Sequence, residues 1–194
     1  MKKIFFGGIH GVGKSTVIKE LLNENKHIGH YSFWENVRDI GKNVGILTEY
    51  KDLAKIDASK RNILMDTARK RFEYTIEQEL YDILLIDNHF SVYQNQELVR
   101  AIDDEELALY DKFILMEVPS DTLYQRVVND KKERIMETFD IQKIIKHSEY
   151  ERAVAFDFKH RFNIELLTLE NVNLDDTITK IKNFIYEDTN SFKF

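Results

Sequence analysis

The stretch Gly8-Ile9-His10-Gly11-Val12-Gly13-Lys14-Ser15-Thr16 constrains this chain more than any other. It fits G-x-x-x-x-G-K-[ST], the pattern of a phosphate-binding P-loop. Glycines here let the backbone turn so tightly that consecutive N–H groups point inward at phosphate oxygens. The helix that follows adds the positive end of its dipole. The pattern assigns Gly8, His10, Gly11, Val12, Gly13, Lys14, Ser15 and Thr16 to nucleotide binding. Lys14 reaches the β- and γ-phosphates, and the Ser15 hydroxyl ligates Mg²⁺. Context strengthens the pattern. Lys3-Ile4-Phe5-Phe6 reads as a buried strand, and Val17, Ile18, Leu21 and Leu22 form a helical apolar stripe. The bland alternatives are a glycine turn without a ligand, or a loop that binds without catalysing.

Downstream, apolar runs at about 28–32, 83–86, 113–118 and 164–169 predict four more strands. Helices are expected over about 33–45, from an Asp57 cap to about Tyr81, and over 94–110. Others run from a Ser120 cap to about Asp130, from about Asp140 to Arg161, and onward from an Asn173 cap. Continuous apolar strands separated by helices predict a parallel sheet covered on both faces, with the first strand near its centre. Ligands then sit beyond the carboxyl ends of the strands. Only one Pro and seven Gly occur, and no linker or repeat is visible, so residues 1–194 are expected to form a single domain.

The 43% of hydrophobic residues suffice for a core. A net charge of −6 gives no basic footprint for nucleic acid, although a local basic cleft for phosphates is compatible with it. The absence of Cys excludes disulfides and thiolate metal sites. Met1 leads directly into the first strand, an arrangement expected without a signal peptide. No apolar run approaches the roughly 20 residues of a membrane helix. The expected location is cytoplasmic, with no membrane partner.

Asp87 directly follows the strand at 83–86, where P-loop enzymes place a carboxylate that holds Mg²⁺ through water. His89 lies two residues on and is either a ligand contact or a plain loop residue. Arg126, Lys131, Lys132 and Arg134 surround a helix end. They form either a solvated basic turn or a lid over the transferring phosphoryl group. Ile141, Ile145, Ser148, Arg152, Ala155 and Lys159 share one helical line, so Arg152 either has a structural carboxylate partner or reaches into a site. Asp103-Asp104-Glu105-Glu106 reads as a solvated helix start and Arg69-Lys70-Arg71 as a solvated helix face.

These residues together resemble the P-loop nucleoside monophosphate kinases, particularly the archaeal-type adenylate kinases. Residues 8–16 are similar to the family's phosphate loop, and Leu85-Ile86-Asp87-Asn88-His89 to its Ile-Asp-Thr-His segment. Phe113 to Arg126, with Val118-Pro119-Ser120, is similar to the strand and helix entering its lid. Arg134 and Arg152 fall near the family's lid and post-lid arginines. The resemblance implies a P-loop NTPase fold, three-layer α/β/α with a five-stranded parallel sheet and a short helical lid. It implies an acceptor-binding helical region at about 33–80 and a lid at about 126–139. It also implies phosphoryl transfer from ATP, with Mg²⁺, to a nucleoside monophosphate. Lys14, Asp87, Arg126, Arg134 and Arg152 would be the catalytic set, with Ser15 and Asp87 holding the metal. Archaeal-type adenylate kinases are trimers, so a homo-oligomer is implied.

The chain departs from the family in three places. Lys131 and Lys132 replace part of an arginine-rich lid, and Phe33 stands where the family tends to carry an acid. Ala54-Lys55 stands near the family's acceptor arginine, leaving Arg38 or Arg61 to supply that cation. Arg38 and His89 are therefore the candidate acceptor contacts. Two other functions fit the same motif. One is a kinase of a nucleoside or another small hydroxyl compound, with Asp87 as base. The other is a nucleotide-sensing module or slow NTPase working through a partner.

Overall fold

The computed structural model describes residues 1–47, 56–78, 80–94, 97–129 and 140–187. Arg134, Lys131, Lys132 and Ala54-Lys55 lie outside them, as does most of the expected lid.

Five apolar runs become strands: β1 (Lys2–Gly7), β2 (Ile28–Ser32), β3 (Ile83–Asp87), β6 (Lys112–Glu117) and β7 (Glu165–Glu170). They form one parallel sheet in the order β2-β3-β1-β6-β7, with β1 at its centre as expected. Register aligns the functional ends: Asp87 stands opposite both Phe6 and Ser32, and Glu117 opposite Glu170. The carboxyl ends of all five strands therefore open on one edge of the sheet, around the loop that leaves β1.

Helices cover both faces. Ile4 and Phe6 of β1 pack toward α1 (Lys14–Glu24), α5 (Ser120–Val128) and α7 (Leu174–Tyr186), through Val17, Leu123 and Ile181. Phe5 faces the opposite layer of α2 (Phe33–Asn43), α3 (Ala58–Glu77) and α6 (Ile141–Phe162), meeting Val37, Phe72 and Phe158. The alternation of side chains along one central strand thus feeds two cores. Expected caps hold at Asp57 and Asn173, whose side chains accept from Lys60 N–H and Asp176 N–H, and Asp140, expected as a helix start, caps α6 by accepting from Gln142 N–H. Ser120 is not a cap: Pro119 takes that position without a side-chain hydrogen bond, and Ser120 is the first helical residue.

The helix expected over 94–110 is not there. β4 (Ser91–Gln94) and β5 (Glu97–Arg100) form an antiparallel hairpin, followed by the short α4 (Asp104–Leu107) capped by Asp103. Val92 pairs with Val99 and Tyr93 with Leu98, and cross-strand contacts of branched and aromatic residues override a weak helical spacing. The hairpin is pinned to α6 by Arg100, which pairs with Asp157 at 2.6 Å and lies over the Phe158 ring.

Arg69 and Arg71 are not a free helix face. Arg69 pairs with Asp103 and Glu106, and Arg71 donates to the Asn36 side chain at 3.1 Å. No helix among the described residues is long and apolar enough to cross a membrane.

Candidate active site

The β1–α1 loop has the backbone that its glycines predict. Gly8 and Gly13 adopt φ of +132° and +95°, in the range that favours glycine. Side chains are excluded there as well. A Cβ on Gly8 would lie 2.4 Å from the Met116 carbonyl, and one on Gly13 would lie 2.5 Å from the Asn171 amide. Gly13 is the N-cap of α1 and has no side chain to cap it, so the first turn of α1 opens onto the cleft.

Lys14 is the first residue of that helix. Its ammonium donates to the Gly8 carbonyl and lies 3.7 Å from an Asp87 carboxylate oxygen. Gly13, Lys14, Ser15 and Thr16 line a cleft of about 800 Å³ together with Asp87 and His89. Ser15 and Asp87, the predicted metal pair, both line this cleft. Both offer hard oxygen ligands, which suits Mg²⁺.

His89 is buried, and its Nδ1–H donates to the Gly8 carbonyl at 2.8 Å. Its pKa is held well below the ordinary histidine value, first by burial and then by the charges of Lys14, His10 and His147. His89 is therefore neutral, with Nε2 as the unprotonated ring nitrogen. The His10 ring meets it edge-on at 4.6 Å. Burial likewise lowers the pKa of His147, which donates from Nε2 to the Ser91 carbonyl at 3.1 Å, and of His30 on β2. Below the ordinary value of 6.5 the unfolded chain takes up protons that these folded histidines refuse. Their contribution to stability is full above that pH and is lost as pH falls toward the folded values. The melting temperature is expected to drop between pH 7 and 5, and His147→Gln, which can still donate to Ser91, should shallow the drop. An identical pH slope in that variant would refute the assignment.

On the β2 side the cleft is walled by Ser32, Trp34, Glu35 and Arg38. Ser32 caps α2, and this places Trp34, Glu35 and Arg38 on the first two helical turns. Arg38 donates to the neighbouring Asp39 at 3.2 Å. The Trp34 indole nitrogen is buried and has no hydrogen-bond partner among the described residues.

On the β7 side the wall is Arg126, Asn171, Val172 and Leu174. Arg126 donates to the carbonyls of Gly11, Val12 and Asn171 at 3.3–3.4 Å, and the Asn171 amide donates to Val12 at 2.8 Å. These two side chains brace the outer lip of the loop.

Arg152 does not line the cleft. Its guanidinium forms a two-pronged bond to Glu117, at 2.9 and 2.5 Å, at the end of β6. The buried line of α6 also differs from the expected one. It runs through Ile144, Glu151, Ala155 and Phe158, so Arg152 is turned toward the surface with its side chain 57% exposed. Arg152→Ala is expected to cost about 1–2 kcal/mol, with a fall in melting temperature of about 3–6 °C, because the nearly buried Glu117 loses a charged partner. A kcat near wild type should accompany it; a large kcat loss at unchanged melting temperature would return Arg152 to the catalytic set.

A family model described as an AAA domain matches residues 7–144, from the phosphate loop into α6. The chain belongs to that family. An adenylate kinase of Methanopyrus kandleri is 23% identical over 167 residues, covering 84% of this chain and 86% of the relative. Among solved structures, thymidylate kinase from Candida albicans superposes with a TM-score of 0.62 at 13% identity, over 95% of this chain and 90% of that one. Shikimate kinase from Bacteroides thetaiotaomicron gives 0.60 at 11% identity, over 96% and 99%. Shikimate kinase from Acinetobacter baumannii, in complex with shikimate, gives 0.59 at 13%, over 100% and 96%. The expected resemblance to P-loop nucleoside monophosphate kinases stands, and the fold is that of P-loop kinases.

Glu151, Glu117, Trp34, Glu35 and Asn171 were not singled out from the sequence. Asn171 carried a usable signal, a polar residue directly after the last apolar strand. Glu151 carried another, an acid between Ile144, Val154 and Phe158 on the apolar side of its helix.

Proposed function

We propose that this chain transfers a phosphoryl group from ATP to a nucleoside monophosphate. The observation that carries the reading is Lys14, held between the Gly8 carbonyl and Asp87 at the uncapped head of α1. A triphosphate in the loop would meet backbone N–H groups, the helix dipole and the Lys14 ammonium together. Mg²⁺, held by Ser15 and through water by Asp87, would supply neutralisation of phosphate charge. Phosphoryl transfer needs positioning and electrostatic stabilisation more than a protein nucleophile. The Arg126 guanidinium and the apolar Val172 and Leu174 offer the nucleotide base a flat cation and an apolar edge.

The acceptor belongs on the β2 side. Arg38 is the cation there for an anionic acceptor, with Trp34 in the same wall. The adenylate kinase relative favours a monophosphate acceptor. Arg134 and Arg126 remain the proposed lid cations, in a single-domain enzyme with its acceptor region at about 33–80.

A second reading is favoured by Asp87 and Glu35, two carboxylates on the acceptor side, with a neutral His89 beside them. They suit an acceptor hydroxyl that must lose its proton. ATP consumption measured across ribo- and deoxynucleoside monophosphates, the nucleosides and shikimate, with products separated chromatographically, distinguishes the readings. Turnover with monophosphates alone supports the first, and turnover with hydroxyl compounds alone supports the second. ATP binding without acceptor-dependent turnover would replace both with a sensing or slow hydrolytic role.

A further inference from the structure

Glu151 is 1% exposed, yet it carries a carboxylate. One oxygen accepts from Gly8 N–H at 3.1 Å and Phe90 N–H at 2.9 Å. The other accepts from Ser91 N–H at 2.6 Å and from the Ser91 hydroxyl. Every donor lies on one of two segments, the phosphate loop and the turn just past Asp87 and His89. Four donors on two oxygens fit an ionised carboxylate, which only accepts. Burial holds the carboxyl pKa above the ordinary value, and the Ser91 and Phe90 bonds and the Lys14 charge offset this only in part.

Gly8 is gripped from both sides. Its N–H goes to Glu151, and its carbonyl receives the Lys14 ammonium and the His89 Nδ1–H. Phe90 is held in place as well, because its ring packs so closely on Gly7 that a Cβ there would lie 2.2 Å from it. A buried charge is a poor device for stability alone, since apolar side chains of similar size do as well or better. It is a good device for fixing two backbone segments at one separation.

We propose that Glu151 is a positioning residue, whose carboxylate locks Gly8 to the Phe90–Ser91 turn and so sets Lys14, Asp87 and His89 relative to one another. The inference rests on the reading of the loop as a nucleotide site. Glu151 does not line the cleft and touches no ligand itself.

Calorimetric titration of Mg·ATP, followed also by fluorescence of Trp34, the sole tryptophan, tests this alongside kcat and melting temperature. Glu151→Gln keeps one acceptor oxygen and turns an NH₂ against the donors of the other, so either the Ser91 N–H or the Gly8 and Phe90 N–H pair loses its partner. It is expected to stay folded, bind Mg·ATP at least tenfold more weakly and lose about 10²-fold in kcat, the scale of an ångström-sized misplacement. Ser91→Ala keeps three of the four donors and loses one charge-assisted hydrogen bond, so Kd should rise by about two- to fivefold, less than in Glu151→Gln. A Glu151→Gln variant with lowered melting temperature but wild-type Kd and kcat overturns the proposal. If that variant does not fold, Ser91→Ala decides: a measurable rise in Kd supports positioning, and an unchanged Kd overturns it. Failure of the wild-type protein to bind Mg·ATP overturns the underlying reading too, and is seen before any variant is made.

Discussion

Lys14→Ala is expected to abolish phosphoryl transfer and weaken Mg·ATP binding while the chain stays folded. Lys14 is only 7% exposed, but its ammonium contacts are not those of a core residue. The ammonium meets the Gly8 carbonyl of the phosphate loop and Asp87 in the cleft lining. Asp87 keeps access to water, with its side chain 17% exposed, and does not become a stranded buried charge. Stability should therefore change by about 1 kcal/mol or less, as for a partly solvated pair. Binding suffers more. A charged hydrogen bond to phosphate is worth about 1.5–3 kcal/mol, which corresponds to a Kd raised by roughly 10- to 100-fold. Transfer suffers most, because charge shifts onto the bridging and leaving oxygens as the bond breaks; one lost donor costs a factor of about 10² or more. Equal ATP affinity and turnover in wild type and variant would sink the assignment of the loop.

The fold was legible where one signal ruled alone. Apolar runs such as Ile83–Ile86 and Phe113–Met116 admit few readings, and the strand–loop–helix around Gly8–Thr16 placed β1 at the centre of the sheet. Residues 94–110 were misread because their spacing fits both a helix and a hairpin; the Val92–Val99 and Tyr93–Leu98 pairs decide it, and those are contacts across the chain. On α6 the apolar stripe was taken one residue too far along. A residue is about 100° of helix, enough to put Arg152 inside and leave Glu151 unnoticed. The near half of the site, on the loop and at the end of β3, could be read from local pattern. The Asn171 and Arg126 brace and the Glu151 lock could not, because each joins segments that only the fold brings together.

Asp87→Asn is expected to raise the Mg²⁺ concentration needed for half-maximal activity and to lower kcat by about 10²-fold at saturating metal. The substitution is nearly isosteric, and the Asp87 backbone is fixed in register with Phe6 and Ser32, so the end of β3 stays in place. Only the charge and one acceptor oxygen change. Three roles for this carboxylate give three different results. If it orients metal-bound water, as proposed, the Mg²⁺ requirement rises while metal-free ATP binds as well as before, or better, since a negative neighbour of the phosphates is gone. If it serves only to hold Lys14, whose ammonium lies 3.7 Å away, metal-free ATP binding weakens and the Mg²⁺ requirement is unmoved. If it is the base for an acceptor hydroxyl, metal dependence is again unmoved but the acidic limb of the pH–rate profile disappears. Titrating activity with Mg²⁺ at several pH values, with ATP binding measured in EDTA on the same preparations, separates them. An unchanged Mg²⁺ requirement would remove Asp87 from the metal pair and leave Ser15 as its one proposed protein ligand.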